Sequence, residues 1–260
     1  MSEMYWLAVT LAASLGVQAA FFVFAASLET DKVTDLSYGL TFVLLAAGLL
    51  ANGVGEQSVT AHILVGMVVL WGVRLAGYLL YRIIHIERDP RFDGVRDHFW
   101  KFFRFWFFQG VAVWTIMIPV TLWFFANAGV WRWNMSLGLA IWTLGLMLET
   151  VADAQKFRQK TREGSRARWV DEGFWRYSRH PNYFGELLCW WGVFAFVAVD
   201  LGAWAVPGLV GPLSITVIIL YLTGIPTLEK SAAKRWGEDA AYQAYRRRTR
   251  LLVPLPKRHR

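Results

Sequence analysis

Apolar residues in this chain form blocks of about twenty positions, separated by shorter polar stretches. The blocks lack the strict alternation of a half-buried strand, and each is long enough for a helix to cross the hydrocarbon core of a bilayer. Because backbone polar groups in lipid must find partners within their own segment, helices are the expected element. Seven spans are predicted, at residues 5–27, 36–54, 61–81, 105–126, 133–152, 184–204 and 209–225. We therefore expect an all-α, polytopic integral membrane protein of about seven transmembrane helices, with a single domain over residues 1–260.

The composition agrees with a membrane environment. Hydrophobic residues make up 56% of the 260 positions and charged residues 18%, fewer than the roughly 25% typical of soluble domains. Lysine and arginine are concentrated in polar stretches, with six in residues 82–104, eight in 156–179 and ten in 230–260. Since cytoplasmic loops of membrane proteins are enriched in these residues, we expect the N-terminus outside and the C-terminus in the cytoplasm. The first block is too long for a signal-peptide core, so it is expected to be a retained span.

The net charge of +8 at pH 7 is explained by these loops, so no nucleic-acid partner is expected. The single cysteine, Cys189, lies in an apolar block and rules out an intrachain disulfide or a cysteine-based metal site. We expect no metal. After Pro226, residues 228–250 have the pattern of one amphipathic helix with an arginine cluster near its end. Such a helix could lie on anionic lipid, or it could clamp an anionic ligand.

Two carboxylates and two lysines share one face at the end of the fifth predicted span. Their spacing of i, i+4, i+7 and i+11 places them on the same side of a helix: Glu149, Asp153, Lys156 and Lys160. They can pair with one another. They can also bind a nucleotide, with the acids accepting from hydroxyl or amide groups and the lysines contacting phosphates.

The start of the sixth predicted span is crowded with hydrogen-bonding side chains. Within residues 175–186, Pro181 sets a turn and Gly185 permits a close approach of backbone or ligand. The polar residues there are Arg176, Tyr177, Arg179, His180, Asn182, Tyr183 and Glu186. This density at a membrane boundary favours a polar ligand pocket over a loop that only caps the helix.

Ionisable residues in earlier spans are candidates for function because their burial in lipid is costly. Arg74, within the third span, needs either a carboxylate from another span or a phosphate. Trp71 and Tyr78 lie near the same helical stripe. Asp35, at the start of the second span, either caps that helix or acts with Tyr38, one turn later, as a proton donor inside the bundle.

The segment Arg179-His-Pro-Asn-Tyr-Phe-Gly-Glu186 resembles the signature of the membrane steroid 5α-reductase and sterol C14-reductase superfamily. Residues 234–249, followed by Pro254, resemble that family's ending of a Lys-aromatic-Gly motif, spaced aromatic residues and a proline. The resemblance covers roughly residues 149–254, within a reductase-like half at 132–256. It implies a multi-span enzyme that binds NADPH in a cytoplasmic pocket and passes hydride to an enone lipid.

The resemblance also implies how the cofactor is held. Asn182 and Glu186 match the family's Asn and acid that hold the nucleotide, and Asp153 matches the acid on the preceding span. Glu149 stands where steroid 5α-reductases carry an Asn. The residues expected to bind NADPH are Arg74, Glu149, Asp153, Lys156, Lys160, Tyr177, Arg179, His180, Asn182, Tyr183, Glu186, Lys230 and Tyr245.

The expected catalytic residues are Asp35, Tyr38 and Tyr78. Thr34-Asp35-Leu36 resembles the Gln-Glu-Leu of steroid 5α-reductases, which would make Asp35 the partner of the substrate carbonyl. The family tyrosine that polarises the enone aligns nearest Trp71, which is expected to contact substrate. Negative charge develops on the enone oxygen as hydride arrives, so hydrogen-bond donors placed there stabilise the transition state.

The expected function is thus NADPH-dependent reduction of an enone lipid, such as a 3-oxo-Δ4 steroid, by a monomer in a bacterial inner membrane. Two other functions stay open. Membrane isoprenylcysteine carboxyl methyltransferases carry a similar Arg-His-Pro-x-Tyr-x-Gly segment and bind S-adenosylmethionine with it. The chain could also be a non-catalytic lipid-binding protein or a transporter, although it lacks the paired halves with broken helices typical of transporters.

Overall fold

The computed structural model describes residues 3–28, 30–52, 58–85, 94, 97–126, 129–162 and 168–256, except for the side chains of residues 82–85. Its regular elements are helical, and no strand beyond a single bridge occurs in these ranges. The α-helices are α1 (Glu3–Ser27), α2 (Thr34–Ala51), α3 (Val59–His85), α4 (Phe99–Ala126), α5 (Trp133–Thr161), α6 (Pro181–Val197), α7 (Ala205–Gly208), α8 (Val210–Val217), α9 (Ile225–Trp236) and α10 (Ala240–Arg248). Short 3₁₀ turns occupy Gly173–Arg176 and Gly202–Trp204, and a π-helical segment occupies Ile218–Leu222. The predicted all-α fold is confirmed.

Six helical stretches in the described ranges are long and apolar enough to cross a membrane, as expected of an integral membrane protein. They are Glu3–Ser27, Thr34–Ala51, Val59–Tyr81, Phe99–Ala126, Trp133–Thr161 and Gly202–Trp236. The sixth predicted span, 184–204, differs from the helix observed. Pro181 starts α6 because its fixed φ suits the first helical position, and the helix ends at Val197 after 17 residues. Much of the predicted basic linker 82–104 lies outside the described residues.

The chain forms two compact units. Unit 1 comprises Met1–Gly138 and Val193–Ser214, and unit 2 comprises Leu139–Gly192 and Ile215–Arg260. In unit 1, α1 packs mainly on α4, and α2 packs mainly on α3. A Cβ at Gly39 would stand 2.8 Å from the carbonyl oxygen of Gly72, so α2 and α3 meet backbone to backbone. Small residues permit such close approaches between membrane helices.

Neutral polar side chains join α1, α2 and α4 inside unit 1. The Gln18 amide Nε2 donates to Thr41 Oγ1 at 2.7 Å. The Gln109 amide Nε2 donates to Gln18 Oε1 at 2.9 Å and to Ser37 Oγ at 3.0 Å. Since polar groups without partners are costly in hydrocarbon, this network ties the three helices together without placing a charge in lipid.

In unit 2, α5 and α6 approach closely at Gly145 and Gly185. A Cβ at Gly185 would lie 2.6 Å from the backbone nitrogen of Glu149 and 2.7 Å from the carbonyl oxygen of Gly145. A Cβ at Gly145 would lie 2.7 Å from the backbone nitrogen of Cys189. Backbone atoms of a helix cannot move aside as a flexible side chain can, so glycine is required on both helices. The close approach expected at Gly185 is confirmed.

The prediction of one tail helix over 228–250 is wrong, because the structure has two helices there. α9 begins at Ile225, with Pro226 in its first turn, and ends at Trp236. Asp239 then caps α10, since its carboxylate accepts from two backbone N–H groups of the first turn at 2.7 and 3.2 Å. Tyr242 and Tyr245 on α10 are buried in one cluster with Trp169. Capping and aromatic packing therefore interrupt a segment that the hydrophobic period alone predicts as continuous.

Candidate functional site

The polar segment before α6 is fixed by backbone pairing with residues 249–252 in unit 2. The Arg179 N–H donates to the Arg250 carbonyl at 2.9 Å, and the Arg250 N–H donates to the Tyr177 carbonyl at 3.2 Å. Ser178 is fully buried, and its hydroxyl donates to the Leu252 carbonyl at 2.6 Å. Because the backbone is held on both sides of Ser178, the side chains that follow it extend from a fixed position.

Trp175 brings two predicted cofactor residues to one place. Its indole N–H donates to the Ala152 carbonyl of α5 at 2.8 Å. The ammonium nitrogen of Lys156 lies 5.3 Å from the ring centroid, within the range of a cation–π contact. The Tyr245 hydroxyl donates to the Trp175 carbonyl at 2.9 Å, and burial raises the pKa of this tyrosine, so it is a neutral donor.

An ionic cluster joins the start of α6 to α9 and α10, and we name it the Glu229 cluster: Arg179, His180, Glu229 and Arg246. His180 Nε2 lies 2.9 Å from Glu229 Oε1. The other carboxylate oxygen, Oε2, lies 3.3 Å from Arg179 Nη2 and 3.7 Å from Arg246 Nη2. The exposed fraction of the side chain is 14% for Arg179, 20% for Glu229 and 43% for Arg246, so water reaches part of the cluster.

The imidazole of His180 is held mainly neutral. Burial lowers its pKa, the hydrogen bond and charge of Glu229 oppose this shift, and the charges of Lys156 and Arg179 add to it. Burial is the largest effect because the charged form loses its hydration. His180 also stacks on Tyr183, with ring centroids 5.8 Å apart and 19° between the planes. A neutral imidazole bonded to a carboxylate donates through Nε2, which leaves Nδ1 as the acceptor.

Asn182 on α6 contacts Asp153 on α5, and the resemblance assigns both residues to the nucleotide. The amide Nδ2 of Asn182 donates to Asp153 Oδ1 at 3.2 Å, and Asp153 is 4% exposed. Asn182 Oδ1 is buried without a hydrogen-bond partner in the described part of the chain. Arg179 Nε, three residues earlier, is also buried without a hydrogen-bond partner in the described part of the chain. One acceptor and one donor at the start of α6 are thus left for a ligand.

Two glutamines one turn apart on α5 were not identified from the sequence. Gln155 Oε1 accepts from the Phe174 N–H at 2.9 Å, and Gln159 Oε1 accepts from the Asp171 N–H at 3.2 Å. They hold the segment that leads from Trp169 to the 3₁₀ turn. Beside it lies a cavity of about 410 Å³, lined by Gln155, Asp171, Glu172, Gly173, Phe174, Arg176 and Tyr177. Of the predicted cofactor residues, Tyr177 alone lines this cavity.

The other predicted cofactor residues of unit 2 differ in exposure. Lys160 donates to the Arg168 carbonyl, and its ammonium nitrogen lies 5.4 Å from the Trp236 ring centroid. Lys230 is exposed, and Tyr177 is 38% exposed. Glu149 is 2% exposed, and Tyr183 and Glu186 are half-buried.

Several candidates of unit 1 contact aromatic side chains. Tyr38 packs edge-on against Phe42 with centroids 5.1 Å apart, and Phe42 packs edge-on against Trp71 at 5.1 Å. Trp71 is 1% exposed. The Arg74 guanidinium lies 5.6 Å from the Tyr78 ring centroid. Asp35, half-buried in the first turn of α2, stands where a carboxylate favours the helix dipole.

Glu229 was also missed from the sequence, and Arg246 was identified only as one member of the tail's arginine cluster. Glu229 is the first acid after the last apolar block, in a stretch rich in Lys and Arg, and this isolation is a signal that could have identified it. Its partner His180 is 49 positions away in sequence, so no local spacing predicts the pair. Arg246 belongs to the arginine cluster of the tail, whose members cannot be told apart by sequence.

Together these features define an all-helical membrane protein whose unit 2 contains a half-buried ionic cluster close to an acid–amide pair. The family model described as "Protein of unknown function (DUF1295)" matches residues 21–249. Since that range covers most of the 260 residues, the chain belongs to the DUF1295 family. No curated protein and no solved structure matches it.

Proposed function

We propose that the protein is an NADPH-dependent membrane reductase that adds hydride to the conjugated C=C bond of an enone lipid, such as a 3-oxo-Δ4 steroid. The resemblance of residues 179–186 to the reductase signature supports this function. So does family membership, because the DUF1295 family is associated with steroid 5α-reductase-like proteins.

The observation that carries the proposal is the pair of unpartnered polar atoms at the start of α6. Asn182 Oδ1 and Arg179 Nε are both buried without partners in the described residues. Leaving such groups unsatisfied costs about 1–3 kcal/mol each. A ligand that offers both a hydrogen-bond donor and an anionic acceptor would remove that cost. A nucleotide offers both, through its amide or ribose hydroxyl groups and its phosphates.

The residues near this pair fit such a ligand. Asp153 and Asn182 would accept from hydroxyl or amide donors, while Arg179, His180 and Lys156 would contact phosphate oxygens. When bound, NADPH would supply the hydride. Glu186, Tyr183 and Glu149 are assigned to the same site through the sequence resemblance alone.

The protein's own task in the reaction is to polarise the enone. Tyr38 or Tyr78 would donate a hydrogen bond to the substrate oxygen, where negative charge develops, and Asp35 is assigned beside them as the partner of the substrate carbonyl. Transfer of hydride to the β carbon would leave NADP⁺, and a proton from water would add to the α carbon to give the saturated ketone. Trp71 is assigned to the lipophilic body of the substrate.

The proposed topology has seven spans. Six of them are the long apolar helical stretches named above, and the seventh is α6, which has 17 residues. The basic stretches support a topology with the N-terminus outside and the C-terminus in the cytoplasm, which would suit a cofactor made there. We further propose that the protein works as a monomer in a bacterial inner membrane.

The test is calorimetric titration of the detergent-solubilised protein with NADPH and, separately, with S-adenosylmethionine. We expect NADPH to bind and Asn182→Ala to weaken its binding about tenfold, since one to two hydrogen bonds are lost. Glu238→Ala, an exposed substitution in unit 2, is the control and should leave binding unchanged. Binding of S-adenosylmethionine without NADPH would refute the reductase and favour the methyltransferase. Binding of neither would favour a non-catalytic lipid-binding protein.

A further inference from the structure

The Glu229 cluster has the donor arrangement of an anion-binding site. Three side chains that donate N–H groups come from the segment before α6 and from α10, and they converge on one carboxylate. Arginine and histidine donors around a shared acceptor are the groups that proteins use to bind phosphate. Here the acceptor belongs to the chain itself, on the second turn of α9.

The carboxylate satisfies these donors only in part. Arg179 reaches Glu229 through Nη2 alone, at 3.3 Å, and its Nε–H is buried without a partner in the described residues. Arg246 is farther away, at 3.7 Å. A carboxylate has two oxygens with which to meet three side chains, whereas a phosphate has three or four. With His180 neutral, two positive charges also face one negative charge.

We propose that Arg179, His180 and Arg246 form a phosphate- or pyrophosphate-binding site, and that Glu229 occupies it as an internal competitor until the ligand displaces its carboxylate. This inference rests on the proposed function, which assigns Arg179 and His180 to nucleotide phosphates. It adds Arg246 as a ligand-binding residue and Glu229 as the group that lowers the affinity of the site.

The test uses inorganic pyrophosphate as the probe and the full-length protein in detergent. Glu229→Gln keeps the size of the side chain and removes the competing charge, so pyrophosphate should bind about tenfold more tightly. Arg246→Gln is partly exposed and should fold, and it should weaken binding about fivefold.

Two matched controls separate the site from a general charge effect. Asp171→Asn removes the same charge in the same unit, but Asp171 pairs with Arg168 at 2.9 Å and with Arg248 at 3.9 Å. Arg248→Gln removes the same charge from the same helix as Arg246→Gln. Both controls should change the affinity less than about twofold. An unchanged or weaker affinity in Glu229→Gln, or an equal gain in Asp171→Asn, would overturn the inference.

Competition identifies the source of the phosphate and separates this inference from the proposed function. NADPH that displaces pyrophosphate indicates a nucleotide, whereas displacement by a short-chain phosphatidic acid indicates a lipid headgroup. If the pyrophosphate pattern holds but NADPH binds to no variant, the anion site stands and the proposed reductase fails. If NADPH binds to the unmodified protein and Glu229→Gln leaves its affinity unchanged, the reductase stands and this inference fails.

Discussion

The glutamine network of unit 1 and the Glu229 cluster of unit 2 use polar side chains in different ways. In unit 1, Gln18 and Gln109 are neutral, and both polar atoms of the Gln18 amide have partners on other helices. In unit 2, Glu229 contacts two charged arginines and a neutral histidine, and the Nε–H of Arg179 has no partner in the described residues. A neutral network with its bonds made holds helices together and has little capacity left for a ligand. A charged cluster with a donor unused retains that capacity.

The largest expected loss of stability comes from a substitution that forces two helices apart. Gly185→Ala would push a methyl group against backbone atoms of α5, so we expect about 3 kcal/mol of destabilisation and a melting temperature lower by roughly 6–12 °C. In unit 1, Gly72→Ala should cost less, because its Cβ would meet the Val43 side chain at 2.9 Å and the Gly39 carbonyl oxygen at 3.0 Å, both farther away than the backbone atoms that face Gly185.

The control for both substitutions is Gly66→Ala, since no heavy atom lies within 4 Å of the added Cβ. It should leave stability unchanged or raise it by about 0.5–1 kcal/mol through helix propensity. Equal melting temperatures for Gly185→Ala and Gly66→Ala would show that α5 and α6 are not in backbone contact.

The neutral network of unit 1 should respond to removal of one amide. Gln18→Leu leaves Thr41 and Gln109 short of partners, and we expect a loss of about 1–2 kcal/mol, measured by thermal melting in detergent. The double variant with Gln109→Leu should lose less than the sum of the two single variants, because both partners are then apolar. Strict additivity would contradict the direct bond between the two amides.

In unit 2, Tyr245→Phe removes only the hydroxyl that donates to the Trp175 carbonyl. We expect about 1 kcal/mol of destabilisation, because one buried hydrogen bond is lost and the aromatic packing is kept. Tyr177→Phe, at a residue 38% exposed, should change the melting temperature by less than half as much. A larger drop in melting temperature for Tyr177→Phe than for Tyr245→Phe would argue against the docking of α10 through Tyr245.

The smallest expected effect is a change of melting temperature with pH that comes from His180 in unit 2. The glutamine network of unit 1 has no such dependence because its side chains are neutral amides and hydroxyls. The pKa of His180 is lowered in the folded protein from an ordinary value of 6.5, so the unfolded chain binds more protons as the pH falls below 6.5. The contribution of His180 to the free energy of unfolding is therefore fully present above pH 6.5, and it is lost as the pH falls toward the pKa of His180 in the folded protein. His180→Gln should reduce the difference in melting temperature between pH 7.5 and 5.5, and an unchanged difference would contradict the prediction.

The sequence predicts the helical fold because each apolar block is long enough to be recognised on its own. It does not predict where α6 ends or that α9 and α10 are separate, since these boundaries depend on capping by Asp239 and on tertiary packing. The start of α6 was found as a candidate site through its density of polar residues. Glu229, Gln155 and Gln159 were not found, because their partners are distant in sequence or are backbone groups.

The pairing of residues 177–179 with residues 250–252 has a consequence for biosynthesis. Leu252 follows Ser178 by 74 positions, so it leaves the ribosome well after α6 has been made and delivered to the membrane. Until then, the backbone on either side of Ser178 lacks these hydrogen-bond partners. The newly made protein therefore passes through a stage in which α6 has been synthesised but the segment before it is not yet held by residues 250–252. A quality-control protease at the membrane surface would meet that segment exposed in any chain stalled before Leu252.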